Sequence, residues 1–385
     1  MITPTGIGSR VYMLDESGTK YKQFQLLNQE FTFDVDVSSM PCGSNGALYF
    51  SKMDPDGGTS RFPTNTAGAA YGTGYCDAQC QHDLRFINGE GNFNNAYGSC
   101  CTEMDIWEAS SMATAYTTHA CWCDMDGCDF NPFRLGNKAF YGRGKEFDID
   151  TTRQFSVVTQ FVTDDNTETG ELVEIRRLYK QGDRVVGNPK STWPFLNGTD
   201  SITDAMCNAS KIHFDDSVYP HNQLALLGQQ MVGGMTLAMS IWVDYGANMT
   251  WLDSWWTGDD TALPGVLRGR CPNPGGDSET VFAESPDAAV KFMNIRSGFR
   301  NLMSSSVHLY LKELREEIEE VNNGIVAEVS SHLFKWLFAK IDEDSEELEN
   351  LLAEQRYLAG NSLTEADVRI SHSLTRLDAF EKKSD

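Results

Sequence analysis

Ten cysteines, none of them beyond Cys271 of a 385-residue chain, place the strongest constraint on how this sequence folds. Their even number predicts a disulfide framework that is confined to the first three-quarters of the chain. Zinc is the alternative, because the Cys76-x-x-x-Cys80 spacing could face Cys100 and Cys101, but adjacent cysteines are unusual as paired zinc ligands. A disulfide framework requires an oxidising compartment, although no signal peptide is visible at the start of the sequence.

The cysteine-containing part is patterned for β-structure. Apolar and polar residues alternate through 31–37, 147–151 and 155–162, as expected of strands with one buried face. The run Met235–Val243 is nearly continuously apolar, which is typical of a central strand. Gly- and Asn-rich turns separate these runs. The pattern predicts a mainly β fold, a large sandwich of antiparallel sheets.

From about Ser297 the pattern changes. Apolar residues recur at helical spacing from Val307 to Ile325 and from Leu333 to Gln355, among many Glu and Lys residues. This part of the chain has no cysteine. We therefore predict two segments, a β domain over 1–298 and a small all-α segment over 299–385.

The charge of the chain limits its partners. The formal net charge of −24 argues against binding to nucleic acid or to an anionic membrane, since both require basic patches. No apolar run approaches the roughly 18 residues of a membrane span. An acidic surface suits a secreted protein that acts on a neutral substrate.

Three carboxylates fall within six residues at Glu103, Asp105 and Glu108. On an extended strand Glu103 and Asp105 share a face, whereas strict alternation sends Glu108 to the opposite face. A bulge or bend near Trp107 would return Glu108 to the first face. Glu103 and Glu108 then become a candidate acid and nucleophile. The alternative is a solvated strand edge or a calcium-binding loop.

Several long motifs occur in a fixed order through residues 1–298. They are Phe31-Thr-Phe-Asp-Val-Asp-Val, Leu48-Tyr-Phe, the run 64–77 that ends in Gly-Tyr-Cys-Asp77, Ser99-Cys-Cys-Thr-Glu-Met-Asp-Ile-Trp-Glu-Ala, Asp126-Gly-Cys-Asp-Phe-Asn-Pro-Phe-Arg134, and Met249-Thr-Trp251. With these motifs the segment resembles glycoside hydrolase family 7, the fungal-type cellobiohydrolases and endoglucanases. The resemblance implies a concanavalin-like jelly-roll sandwich and a secreted, retaining β-1,4-glucanase that acts on cellulose or a related β-glucan without a metal or organic cofactor.

The resemblance also implies roles for the acidic residues. Glu103 would be the nucleophile, Glu108 the general acid/base, and Asp105 the residue that orients Glu103. A retaining glycosidase needs two carboxyls about 5 Å apart, and a cluster of like charges raises the pKa of one of them. His119 would lie in the cleft beside the acid/base; its alternative is a structural histidine.

Ten further residues would contact sugar, because sugar rings bind aromatic faces and their hydroxyls bind charged or amide groups. By the resemblance Trp242 and Trp251 would be platforms, with Trp251 closer to the departing product. The substrate side would be lined by Asn45, Tyr49, Asp77, Gln79 and Arg85, and the product side by Arg134, Asp150 and Arg268. The alternatives are a core position for Trp242 and a surface ion pair for Arg134.

The same resemblance implies four disulfides: Cys42–Cys271, Cys76–Cys101, Cys80–Cys100 and Cys128–Cys207. The remaining Cys121 and Cys123 bridge a long loop in the family, but here only Trp122 separates them. A disulfide between positions i and i+2 would be strained, so the state of this pair stays open.

The sequence also departs from the family. The loops before Cys100 and at Cys121–Cys123 are short, which favours an open groove and internal cleavage, although Arg134 and Arg268 are typical of the cellobiohydrolase branch. Family members have further strands before the point where this sequence begins. We therefore expect exposed strand edges and apolar faces.

The helical tail has a resemblance of its own. Segments 314–325, 355–369 and 375–380 resemble the C-terminal helical domain of glutathione transferases, in particular of glutathionyl-hydroquinone reductases. Thr364 and Asp367 match that family's helix cap. The glutathione-binding domain has no counterpart here, so no active residue is assigned to the tail. Besides a cellulase, three interpretations are open: an inactive carbohydrate-binding remnant, a glutathione-dependent enzyme, and a gene-model fusion.

Overall fold

The computed structural model describes residues 8–121, 124–216, 223–273 and 276–299. The predicted helices of the tail, Cys123, and the resemblance to glutathione transferases lie outside the described residues and stay predictions. The predicted division between residues 298 and 299 likewise stays a prediction. None of the helices in these ranges is both long enough and apolar enough to cross a membrane.

Strands dominate the described part of the chain. In chain order they are β1 (Gly8–Tyr12), β2 (Gln23–Phe24), β3 (Gln29–Asp36), β4 (Ser44–Ser51), β5 (Phe86–Ile87), β6 (Glu90–Gly91), β7 (Glu103–Ala109), β8 (Thr114–His119), β9 (Cys128–Phe130), β10 (Tyr141–Gly142), β11 (Ile149–Asp150), β12 (Phe155–Thr163), β13 (Leu172–Gln181), β14 (Arg184–Gly187), β15 (Met235–Val243) and β16 (Lys291–Phe299). The helices are α1 (Asp204–His213), α2 (Gln223–Met231), α3 (Thr250–Asp253) and α4 (Ser278–Glu284), with short 3₁₀ turns at Ala69–Tyr71 and Pro194–Leu196.

The long strands form two antiparallel sheets, which confirms the predicted fold class. The seven-stranded sheet has the order β1–β15–β4–β7–β8–β9, with β2 also paired to β15. The five-stranded sheet has the order β14–β13–β12–β3–β16. The pairs β5–β6 and β10–β11 stand apart, the second of them parallel. Consecutive strands in these orders are often far apart in sequence, as in sandwiches with long crossovers.

Aromatic rings fill the space between the two sheets. Phe31 of β3 meets Phe50 of β4 with ring centres 5.0 Å apart, and Phe33 meets Trp107 of β7 at 6.0 Å. Trp107 also packs edge-on against Phe155 at 5.7 Å. Edge-to-face rings bury large apolar areas and add a favourable quadrupole interaction. Trp107 therefore anchors the middle of β7 in the core.

Three of the predicted strands form as expected, and one does not. The alternating runs become β3 and β12, and the apolar run becomes β15. The run 147–151 contributes only β11, because the Asp150 carboxylate accepts bonds from the backbone N–H groups of Gly144 and Thr152 and closes a turn. The sequence analysis also missed α1, whose first turn is capped by the Thr203 hydroxyl.

The four disulfides implied by the family resemblance are present: Cys42–Cys271, Cys76–Cys101, Cys80–Cys100 and Cys128–Cys207. The first joins residues 229 positions apart. Two others tie the loop 76–80 to the adjacent Cys100 and Cys101, just before β7 begins at Glu103. This loop is thereby fixed beside the three clustered carboxylates.

We predict that the Cys42–Cys271 disulfide contributes more to the free energy of unfolding than Cys80–Cys100 does. The two bonds join residues 229 and 20 positions apart, and loop-closure entropy gives about 5 kcal/mol for the former against about 3 kcal/mol for the latter. Replacing each pair by alanine and comparing denaturant midpoints by fluorescence tests this. Equal midpoints in the two double variants would contradict it.

Candidate active site

Strand β7 contains a bulge at its centre. In its pairing with β4, Asp105 lies opposite Tyr49 and Trp107 lies opposite Leu48, so Ile106 has no partner. The pairing with β8 shifts register in the same place, between Asp105 and Glu108. An extra residue reverses the alternation of side chains beyond it. The bulge predicted near Trp107 is therefore present at the adjacent residue.

The bulge brings the three carboxylates to one face of the seven-stranded sheet. Glu103, Asp105 and Glu108 lie opposite alternate residues of β4, namely Ser51, Tyr49 and Ala47. We call this face, which points away from the aromatic core, the site face. The three acids are only 6%, 6% and 9% exposed. This excludes the alternative of a solvated strand edge.

Burial and mutual repulsion raise the pKa of every acid in this cluster. The pKa of Glu103 lies well above its usual value because of burial and then the charges of Asp105 and Asp77. The pKa of Glu108 is raised by burial and by Asp105. Burial and Asp77 raise the pKa of Asp105 to about 8. The cluster therefore holds protons at a pH where isolated carboxyls are ionised.

The loop 76–80 supplies a hydrogen bond to Glu103. The backbone N–H of Ala78 donates to Glu103 Oε2 over 3.0 Å. This bond favours the ionised carboxylate and opposes the effect of burial on its pKa. Because Cys76 and Cys80 are both disulfide-bonded, the donor is held in a fixed position.

His119 bonds Asp105. Its Nδ1 lies 2.7 Å from the backbone carbonyl of Asp124, which can only accept, so Nδ1 carries a proton. Its Nε2 lies 3.1 Å from Asp105 Oδ2. The Nε2–Oδ2 contact therefore holds one shared proton, either as an imidazolium–carboxylate pair or as a neutral histidine that accepts from a carboxylic acid. His119 was expected beside the acid/base, which stays a prediction; here it contacts Asp105 and Asp124.

Asn45 orients Glu108. Its Nδ2 donates to Glu108 Oε1 over 3.0 Å, and its Oδ1 accepts from the backbone N–H of Ala109 over 3.0 Å. The side chain has no exposed surface. Protein groups occupy both ends of this amide, and the predicted sugar contact of Asn45 stays a prediction.

Tyr49 and Asp77 belong to a network beside Glu103. The Tyr49 hydroxyl lies 3.1 Å from that of Tyr75, which donates to Asp77 Oδ2 over 2.7 Å. Arg10 donates to Tyr49 over 3.3 Å and lies over the Tyr75 ring at 3.2 Å. Arg10 and Tyr75 were not among the residues predicted for the site. The alternation of Arg10 and Tyr12 around Val11 was the available signal.

The two tryptophans predicted as platforms stack on each other. Trp242 and Trp251 have ring centres 6.0 Å apart at an angle of 25°. Trp242 of β15 lies opposite Asn45 of β4, so both residues are on the site face. Trp251 Nε1 donates to Asp244 over 3.1 Å. Both rings are half-buried. The alternative of a core position for Trp242 is thus excluded.

Gln79 and Arg85 lie at the exposed end of the site. Gln79 Nε2 donates to the Met125 carbonyl over 2.6 Å, and Arg85 bonds the Asn95 side chain over 3.4 Å. Both side chains are exposed. Their predicted contact with substrate stays a prediction.

Arg134 and Arg268 share two carboxylates beyond β9. Arg134 is 3% exposed and bonds Asp129, both oxygens of Asp216 and the Gly265 carbonyl. All its nitrogen atoms have protein partners, and its burial excludes the surface ion pair. The predicted contact of Arg134 with sugar hydroxyls stays a prediction. Arg268 is 17% exposed and reaches the same carboxylates at 3.6 and 3.8 Å. Burial and the charge of Arg134 lower its pKa to about 10.

The Asp150 carboxylate is bonded within the turn around β11. Its carboxylate accepts from Gly144, Thr152 and Arg153 in the turn around β11, and its backbone N–H donates to Gln181 of the five-stranded sheet. The predicted role of Asp150 at the product side stays a prediction. Its carboxylate closes this turn.

Two groups of side chains have metal-ligand spacing within the described residues. The ligand atoms of Glu103, Asp105 and His119 lie within 4.8 Å of one another, as do those of Cys42, Asp253 and Cys271. The second group cannot supply thiolates, because both cysteines are disulfide-bonded. In the first group the histidine already bonds Asp105. The absence of a cofactor stays a prediction.

This sequence and fold match known proteins. The family model described as glycosyl hydrolase family 7 matches residues 2–122 and 121–302. A family 7 cellobiohydrolase from Daphnia pulex is 42% identical over 76% of this chain and 75% of its own, with a TM-score of 0.72. A cellobiohydrolase from Melanocarpus albomyces in complex with cellotetraose is 36% identical over 77% and 76% of the two chains, with a TM-score of 0.68.

Glycosynthase mutants of Humicola insolens Cel7B are also similar. They are 37% identical to this chain over 75% of it and 72% of their own chain, with a TM-score of 0.64. The residues that the family model matches include both sheets and the clustered acids of β7. From its sequence match and its fold together, this chain belongs to glycosyl hydrolase family 7.

Proposed function

We propose that this protein is a retaining β-1,4-glucanase that hydrolyses cellulose chains by double displacement. The observation that carries the proposal is the convergence of Glu103, Asp105 and Glu108 on one face through the bulge at Ile106. Two carboxyls, one ionised and one protonated, are what retaining glycoside hydrolysis requires. The similarity to glycosynthase mutants agrees, since such mutants are made from retaining enzymes.

In the first step Glu103 attacks the anomeric carbon while Glu108 donates its proton to the departing glycosidic oxygen. The carbon–oxygen bond breaks, and a glycosyl ester on Glu103 forms. The Ala78 N–H orients the attacking carboxylate, and Asn45 holds Glu108 toward the leaving oxygen. Asp105 and His119 hold a proton beside Glu103 and limit the charge there.

In the second step water completes the reaction. Glu108, now ionised, takes a proton from water, whose oxygen attacks the anomeric carbon. The ester bond breaks, Glu103 leaves as a carboxylate, and Glu108 is protonated again. Two inversions give net retention at the anomeric carbon, and protons and charges balance over the cycle.

The substrate follows from the site and from the relatives. A related cellobiohydrolase binds cellotetraose. Here the half-buried Trp242 and Trp251 offer ring faces, and Gln79, Arg85 and Arg268 offer polar groups toward either end of the acids. We propose cellulose or a closely related β-glucan as the substrate. The short loops before Cys100 and around Cys121 favour cleavage at internal bonds of the glucan chain.

The disulfides bear on the compartment. Four disulfides, two of them beside the catalytic strand, persist only where thiols are oxidised. We propose that the protein acts outside the cell. Its acidic character suits a neutral polysaccharide.

We predict that Glu103→Gln abolishes hydrolysis of cellotetraose and that Glu108→Gln lowers kcat/KM at least about 100-fold, the usual contribution of a general acid/base. Product release is measured by chromatography, and the anomer first formed is identified by NMR. The wild type should release the β-anomer. Wild-type turnover in either variant, or release of the α-anomer, would exclude the mechanism. Binding of cellotetraose by the wild type without any product would instead identify a carbohydrate-binding remnant.

We predict that Asn45→Ala lowers kcat/KM about tenfold or more, because Glu108 loses a hydrogen bond that orients it. The bond also lowers the pKa of Glu108. Its loss raises that pKa, so the alkaline limb of the kcat/KM profile should move to higher pH. Ser44→Ala is the matched control, since its hydroxyl bonds the Pro41 carbonyl. An alkaline limb that stays in place would contradict the assignment of Glu108 as the acid.

We predict that Asp105→Asn moves both limbs of the kcat/KM profile to lower pH. The charge of Asp105 raises the pKa of Glu103 and of Glu108, so its removal lowers both. Activity should then survive at more acidic pH and fail earlier as the pH rises. Asp183→Asn makes the same charge change on an exposed turn after β13 and should leave both limbs unmoved. If only one limb moved, the inference that Asp105 raises the pKa of both Glu103 and Glu108 would be refuted.

A further inference from the structure

Arg177 is a buried cation that the proposed mechanism does not use. It belongs to β13 of the five-stranded sheet, and its side chain is 2% exposed. Its Nε and Nη1 have no hydrogen-bond partner within the described residues. Transfer of a charge into a protein interior is costly unless the charge is paired or used. Simple packing does not explain an arginine at this position.

The guanidinium of Arg177 crosses the core to the bulged strand. Its Nη2 donates to the backbone carbonyl of Ile106. Its central carbon lies 4.0 Å from the centre of the Tyr116 ring, a cation–π contact. The Tyr116 hydroxyl in turn accepts from Asn188 Nδ2 over 2.9 Å. Arg177 thus touches β7 and β8 from the sheet opposite.

These two contacts fall on the two sides of the bulge. Ile106 is the residue that has no partner in β4. In β8, Asp105 pairs with Thr117 and Glu108 pairs with Ala115, so Tyr116 faces the bulged segment. A carbonyl at a break in the ladder needs another donor, and a charged donor makes a stronger bond than a neutral one.

We propose that Arg177 is a positioning residue for the general acid/base. By binding the Ile106 carbonyl and the Tyr116 ring, it holds the bulge in the form that turns Glu108 to the site face. Without the bulge, strict alternation would turn Glu108 toward the aromatic core. Glu103 and Asp105 precede the bulge, so their direction does not depend on it. This inference rests on the proposed function of Glu108.

The leaving group of the substrate separates this role from general stability. From a 2,4-dinitrophenyl cellobioside the leaving group is dinitrophenolate, which departs without protonation. The kcat/KM for this substrate therefore depends little on the general acid. Cellotetraose needs a proton on the departing oxygen. We measure kcat/KM for both substrates with the wild type, Arg177→Met, Arg177→Lys and Glu108→Gln. Arg176→Met is the matched control, because Arg176 is an exposed neighbour that pairs with Glu174 over 2.6 Å.

We expect Arg177→Met to lower kcat/KM on cellotetraose about tenfold more than on the dinitrophenyl substrate, as the loss of a charged hydrogen bond implies. Arg177→Lys keeps a charged donor and should recover part of that difference. Arg176→Met should resemble the wild type on both substrates.

Equal losses on the two substrates, or no loss, would overturn the positioning role. Folding of each variant is checked by its thermal transition. If both Arg177 variants fail to fold while Arg176→Met folds, Arg177 acts in stability alone, which also overturns the proposal. If Glu108→Gln does not discriminate between the substrates, the proposed role of Glu108 fails instead.

Discussion

The site depends on one irregularity, the extra residue in β7 at Ile106. Trp107 packs in the core against Phe33 and Phe155, and this packing fixes the register of β7. With the bulge, Glu108 joins Glu103 on the site face. Without it, a carboxylate would enter an aromatic core, where an unpaired charge is unstable. Catalytic geometry and folding stability therefore require the same local structure.

Each acid of the cluster has a different hydrogen-bond partner. Glu103 accepts from the backbone of Ala78, Asp105 meets His119, and Glu108 accepts from Asn45. The bonds from Ala78 and Asn45 both favour the ionised carboxylate and so oppose burial, which raises the pKa of Glu103 and of Glu108. A pair of carboxyls with divergent surroundings is what separates a nucleophile from an acid.

The sequence was informative where the signal was local and weak where it was distant. Period-2 alternation predicted β3 and β12, and the acid spacing predicted the bulge, because both depend on neighbours in the chain. The protein partners of Arg134 and Asp150 were not predicted, because Asp216 and Gln181 lie far from them in the sequence. Arg10 was missed because its partners Tyr49 and Tyr75 lie far from it in the sequence. The disulfide pairing came from family resemblance, because ten cysteines alone leave many connectivities open.

The adjacent cysteines before β7 have a mechanical consequence. Cys100 and Cys101 bind Cys80 and Cys76, so one short loop is fastened at both of its ends to two consecutive residues. Two disulfides prevent the rotation of the loop that a single disulfide would permit. The Ala78 amide that bonds Glu103 is consequently held in place by two covalent links and needs no bound ligand to be ordered.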